Sequence, residues 1–161
     1  DHVCADTVLD ALDALPVAVD VFVRGDTPKA GTVLQGRRVH ALSMPFDPGE
    51  VLRQASLVVH HGALGTAQNA LACGRPQLLL PFHLENTLTT MCLMRAGVAL
   101  GVGYREMGAL PAKLSRALAD AGLAARARRT ATELQHTDWR GAEQVADAVD
   151  RALAARAPQR D

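Results

Sequence analysis

The chain has 161 residues, of which 48% are hydrophobic and 3% aromatic, enough for one domain with a sizeable core. Its 17 Lys and Arg balance 17 Asp and Glu, so no net field favours nucleic acid or an anionic membrane surface as partner. No apolar run approaches the roughly 20 residues of a bilayer span, and Asp1-His2-Val3-Cys4 carries no signal-peptide pattern.

Cys4, Cys73 and Cys92 are scattered, without a C-x-x-C pair. That favours free thiols in a reducing cytoplasm over a disulfide frame or a zinc site. In chain order, residues 7–15 put Val8, Leu12 and Leu15 at helical spacing, with Asp6 as N-cap and Pro16 as the stop. Residues 17–23 are expected as a strand interrupted by Asp20. Arg24-Gly25-Asp26-Thr27-Pro28 is a turn, 29–38 mostly loop, and 38–42 a short strand. A turn at Pro45-Phe46-Asp47-Pro48-Gly49 leads to a short helix over 50–54.

The next stretch organises the rest. Leu57-Val58-Val59 is too short for a helix and rich in β-branched residues, so it is expected as a buried strand. His60, His61 and a glycine turn, Gly62-Ala63-Leu64-Gly65-Thr66, follow at once. A helix from about Ala67 to Cys73 is stopped by Gly74, and Pro76 bars its continuation. A second apolar run over 77–80 ends at Pro81. Strand, glycine turn, helix and strand make one βαβ unit with a right-handed crossover.

Beyond it, 86–95 is expected as a helix with Leu88, Met91, Cys92 and Met94 facing the core and Gly97 at C′. A last short strand covers 98–100. Pro111 and Gly122 bracket a helix over 111–121. Two more helices follow over 123–135 and 139–155, the last with Val145, Val149 and Leu153 on one stripe. The fold class is therefore α/β, a mostly parallel sheet with helices on both faces, without repeats or an internal boundary.

The glycine turn has a chemical use. A helix N-terminus leaves backbone N–H groups unpaired and carries partial positive charge, so it binds anions. Gly62 and Gly65 let a phosphate approach the backbone closely. Thr66 adds a hydroxyl, and His61 a ring N–H or a charge. Spacing alone equally allows Thr66 to cap its helix and His61 to bond within the turn. His60, one residue earlier on the strand, points to the opposite side and is expected to be structural.

H-H-G-A-L-G-T, followed by A-L-A-C-G-R-P-Q-L-L-L-P and L-E-N, resembles the donor-binding half of inverting GT-B glycosyltransferases. These are the bacterial macrolide, glycopeptide and sterol glycosyltransferases and the plant UDP-glycosyltransferases. Their pattern is roughly H-H-G-G-x-G-T, a helix, G-x-P, an apolar strand, P, then D-Q. The resemblance is strong over 52–97 and weaker, but in register, over most of the remainder. It implies a Rossmann-like parallel sheet, the C-terminal half of a GT-B fold, forming a single donor-binding domain over residues 1–161.

By that resemblance His61, Gly62, Gly65 and Thr66 meet the donor diphosphate, and Asn69 the ribose. Asn69 also suits support of the helix cap, one turn from Thr66. Glu85 and Asn86 stand where the family has Asp-Gln and grip sugar hydroxyls, with His83 in the same loop. Both also suit a helix start, with Asn86 or Thr87 as N-cap. Met44 and Phe46 replace the tryptophan that packs on the base in plant enzymes. Ala63 replaces a frequent glycine. The donor is a UDP- or TDP-sugar, a substrate rather than a cofactor, and no metal is implied.

Two family parts have no counterpart here. The first strand, with its Gly-Ser or Gly-Thr loop, does not fit ahead of the first helix. The N-terminal acceptor-binding domain, which usually holds the catalytic histidine, is not in this chain either. The general base is therefore expected from that domain or from a partner subunit, and this chain alone is expected to be inactive. A partner-dependent or non-catalytic donor subunit, as in the two-subunit N-acetylglucosaminyltransferase of dolichol-linked glycan synthesis, is the alternative. A Rossmann dehydrogenase would need G-x-G-x-x-G after its first strand and an acidic residue about 20 residues on, and neither occurs.

Overall fold

The computed structural model describes residues 2–22, 35–36, 39–42, 47–137 and 140–156. Helix α1 (His2–Asp13) leads to β1 (Asp20–Val21) and β2 (His40–Ala41), then α2 (Pro48–Gln54). The βαβ stretch follows as β3 (Val58–His60), α3 (Leu64–Ala72) and β4 (Gln77–Leu79). After it come α4 (Leu84–Arg95), β5 (Ala99–Gly101), a 3₁₀ turn (Tyr104–Ala109), α5 (Leu110–Ala119), α6 (Ala121–Gln135) and α7 (Gly141–Arg156). No helix among the described residues is long and apolar enough to cross a membrane.

All described strand pairs are parallel. β1 pairs with β2, and β3-β4-β5 form a separately bonded ladder with β4 in the middle. Side chains alternate along β4. Leu78 and Leu80 enter a core with Leu12 of α1, Val39, and Leu110 and Leu114 of α5. Leu79 enters the opposite core with Ala67, Leu93, Val98 and Ala127. The central sheet is thus covered on both faces, as an all-parallel sheet must be. Each fully buried leucine contributes about 1.5–3 kcal/mol over its exposed state.

The two glycine stops are as expected. Gly74 and Gly97 have φ of +66° and +71°. Each follows its helix in the same bonding pattern: Gly74 N–H to Leu71 O with Arg75 N–H to Ala70 O, and Gly97 N–H to Met94 O with Val98 N–H to Leu93 O. These reversed pairs close the last helical turn, and only glycine takes that φ cheaply.

Other expectations need correction. The strands are shorter than 17–23 and 38–42. The central helix starts at Leu64, not Ala67, and the next at Leu84, not Asn86. On α4 the buried residues are Asn86, Thr90 and Leu93. Leu88, Met91 and Met94 are about half exposed, at 54%, 54% and 46%, and Cys92 is exposed. The reason is local for Thr90: its Oγ1 donates to the backbone oxygen of Asn86 at 2.7 Å, so this hydroxyl is satisfied inside the helix and can be buried.

Gly122 does not end α5; it is the second residue of α6. Asp120 closes α5 and opens α6, its carboxylate accepting the Leu123 N–H at 2.8 Å. The stripe of Val145, Val149 and Leu153 on α7 is exposed. Met44, Phe46, Trp139 and the turn over 24–28 lie outside the described residues.

Candidate functional site at the carboxyl edge of the sheet

Register brings the candidate residues to one edge. His60 pairs with Leu79, and Leu79 with Gly101, so β3, β4 and β5 end level. The loops carrying His61 and Gly62, His83, and Gly103 therefore leave the sheet side by side. In open parallel sheets this carboxyl edge is where ligands bind. The loop after β5 is held by Lys113, whose Nζ donates to Gly101 O at 2.8 Å and to Glu106 Oε2 at 3.0 Å. Lys113 is the main reason the Glu106 carboxyl sits below its usual range.

Strand alternation separates the two histidines. His61 is exposed at the edge. His60 turns inward. Its Nδ1 accepts the Gly62 N–H at 3.1 Å, and its Nε2 lies 2.9 Å from Gln77 Oε1. With Nδ1 accepting, the proton is assigned to Nε2, which donates to Gln77. Gln77 is fully buried, and its Nε2 donates to Ala67 O in α3 at 3.2 Å. Burial, above all, pushes the His60 pKa below its ordinary value; the Gln77 bond opposes this, and the charge of His61 adds to it.

Gly62 has φ +97°, and a Cβ there would lie 3.1 Å from Asn86 O and 3.2 Å from Asn86 Cβ. Any larger residue is excluded both by φ and by α4. The Gly62 amide is taken by His60, so this glycine shapes the turn.

Helix α3 begins without a side-chain cap. Ala63 holds the N-cap position, at φ −59° and ψ 131°, and contributes no cap bond. The first helical bond is Ala67 N–H to Ala63 O at 3.0 Å. The amides of Leu64, Gly65 and Thr66 stand ahead of it, the arrangement that binds anions. A Cβ on Gly65 would meet nothing within 4 Å, so the space beside Gly65 is open. Thr66 lies inside the helix and does not cap it.

Helix α4 opens in the same way. His83, exposed, is its N-cap residue and forms no side-chain cap bond. Asn86 and Thr87 are inside the helix and are not its cap. Glu85 is exposed in the first turn, whereas Asn86 is 7% exposed beneath Gly62. Asn69 is exposed one turn along α3 from Gly65. The structure thus gathers His61, Gly62, Gly65, Thr66, His83, Glu85 and Asn86 at one edge.

A mainly apolar groove of about 390 Å³ runs between α3 and α4, with Leu64, Gln68 and Glu85 among its lining residues. A depression of about 270 Å³ after α1, between Leu12 and Val19, touches none of the candidate residues. Sequence reasoning missed Gln68 and Gln77. Gln77 had a signal: it is the one amide in an otherwise apolar strand run, and such a residue must find partners when buried.

No family model matches the chain. Over 93 residues it is 33% identical to the O-mycaminosyltylonolide 6-deoxyallosyltransferase of Streptomyces fradiae, a match covering 55% of this chain. The chain spans about a fifth (22%) of that relative's length. The glycosyltransferase VinC, solved in complex with dTDP, superposes with a TM-score of 0.70 at 22% identity, covering 81% of this chain and 33% of VinC. CalG4, the calicheamicin glycosyltransferase, superposes with a TM-score of 0.70 at 23% identity, covering 98% of this chain and 41% of CalG4.

The fold is that of the C-terminal domain of a GT-B glycosyltransferase. Within this GT-B fold, β3, α3 and β4 are the βαβ unit read from the sequence. The uncapped starts of α3 and α4 lie at its carboxyl edge.

Proposed function

We propose that this chain binds the nucleoside-diphosphate-sugar donor of an inverting glycosyltransferase. The reading rests most on the open first turn of α3, with Ala63 providing no cap, Gly65 facing empty space and His61 exposed beside it. The amides of Leu64, Gly65 and Thr66 take the diphosphate, and His61 neutralises the charge that builds on it as it leaves. Glu85 and His83 face the sugar and Asn69 the ribose, while Asn86, buried beneath Gly62, braces the turn behind them. Met44 and Phe46 pack on the base of a UDP- or TDP-sugar.

The acceptor hydroxyl loses its proton to a base outside this chain and attacks the anomeric carbon. The bond from that carbon to the diphosphate oxygen breaks, its electron pair leaving with the nucleotide. The base comes from an acceptor-binding domain or a partner subunit, and the free thiols of Cys73 and Cys92 suit a reducing cytoplasm.

Calorimetry of the chain against UDP, TDP and GDP, repeated on His61→Ala, tests the reading. Binding is weak, because half the cleft lies elsewhere. Losing one charge-assisted hydrogen bond, at about 1.5–3 kcal/mol, weakens it roughly 10- to 150-fold. Unchanged affinity in the variant removes His61 from the site. Sugar transfer by the chain alone overturns the claim that the base lies elsewhere.

A further inference from the structure

The two ends of this edge are joined through the interior. Gln77 sits in the middle strand, fully buried, with both ends of its amide engaged: Oε1 with His60 Nε2 at 2.9 Å and Nε2 with Ala67 O at 3.2 Å. The amide cannot rotate by half a turn without losing both bonds. Its donating end anchors the first turn of α3 at Ala67 O. Its accepting end fixes the tautomer of His60, whose free Nδ1 then holds the Gly62 N–H at 3.1 Å. Gly62 in turn lies against Asn86 in the first turn of α4, close enough that a methyl group would not fit. One buried amide therefore sets where α3 begins relative to where α4 begins.

Those two helix starts are the diphosphate end and the sugar end of the site proposed above, on which this inference rests. We propose that His60 and Gln77 are positioning residues that set the spacing between the diphosphate-binding and sugar-binding ends of the donor site. Neither touches the donor. Each acts through the backbone: Gln77 through Ala67 and His60, His60 through Gly62.

A role in spacing differs from a role in stability by what it does to two ligands. A loosened spacing spares a ligand that uses one end and penalises one that must reach both. The test measures affinities for TDP and UDP, then for the glucose conjugate of whichever binds the wild-type chain. In His60→Phe and Gln77→Leu the ratio of sugar-nucleotide to nucleotide affinity falls about tenfold, the scale of one hydrogen bond. His60→Asn restores it in part, because Asn Oδ1 takes the place of Nδ1 and accepts from Gly62 while the bond to Gln77 stays lost. A wild-type ratio in folded His60→Phe and Gln77→Leu overturns the proposal, as does a ratio in folded His60→Asn no higher than that of His60→Phe.

Because a buried substitution can unfold the chain, hydrogen exchange at the Gly62 amide of the wild type is a second readout. Slow exchange is expected, and exchange at the rate of a free peptide overturns the proposal. If the wild-type chain binds no nucleotide, the donor reading fails and this proposal falls with it. If nucleotide binds and the ratio does not move, only the positioning role fails.

Discussion

Gly65→Ala separates what this residue does for the fold from what it does for a ligand. Gly65 is the second residue of α3, its φ is not positive, and a Cβ there would meet nothing within 4 Å. Replacing glycine by alanine where the backbone already suits it stabilises a protein by about 0.4–1 kcal/mol, mainly through the unfolded chain. For a chain of this size that raises Tm by roughly 1–4 °C. The same methyl group stands in the space where a phosphate would approach the amides. Displacing it from one charge-assisted hydrogen bond costs about 1.5–3 kcal/mol, or roughly 10- to 150-fold in affinity. Thermal melting and calorimetry with UDP and TDP should therefore move in opposite directions. A higher Tm with unchanged affinity would refute phosphate binding at this turn. A lower Tm would refute the open surroundings of Gly65.

Three further outcomes follow from the same geometry. Ala63→Ser supplies the missing cap, stabilising α3 by about 0.5–2 kcal/mol, and weakens nucleotide binding because its hydroxyl competes for the same amides; melting and calorimetry on one sample check both. Gly101→Ala places a methyl 2.9 Å from Thr90 Cγ2 and 3.0 Å from Met94 Sδ, and overpacking of this kind costs about 1–3 kcal/mol in a denaturant melt. The His60 pKa is lowered from 6.5 by burial, so the unfolded chain binds its proton first on acidification. Its contribution to stability is complete above the unfolded value and is lost as pH falls from about 6.5 to the lower folded value. His60→Asn should lack that component in melts between pH 8 and pH 5.

What was legible in the sequence was what a single residue type enforces. Gly74 and Gly97 ended their helices because only glycine takes positive φ there at little cost. The run from Leu57 to Pro81 reads as strand, helix and strand, because its apolar runs are bounded by the glycine turn, Gly74 and Pro81. The sequence puts the start of α3 three residues late because Ala63 is a poor cap and Gly65 a poor helix former. That weak start is the feature that leaves the amides open.

Pairings between distant positions were not legible. Apolar periodicity assigned the wrong face of α4 to the core: the Thr90 hydroxyl is satisfied by the Asn86 backbone oxygen, and Asn86 packs beneath Gly62, so both are buried. Gly122 looked like a helix end until Asp120 proved to serve α5 and α6 together. The link from His60 to Gln77 spans 17 residues and exists only once β3 and β4 lie side by side. The inward turn of His60, by contrast, followed from strand alternation alone.

Titration of TDP and UDP into isotopically labelled chain, followed by amide chemical shifts, tests the central claim most directly. The account predicts that the largest shifts fall on Leu64, Gly65, Thr66 and His61, with smaller ones at His83 and Glu85. Absent shifts, or shifts centred on the hollow between Leu12 and Val19 or on the Cys92 end of the groove, would contradict it.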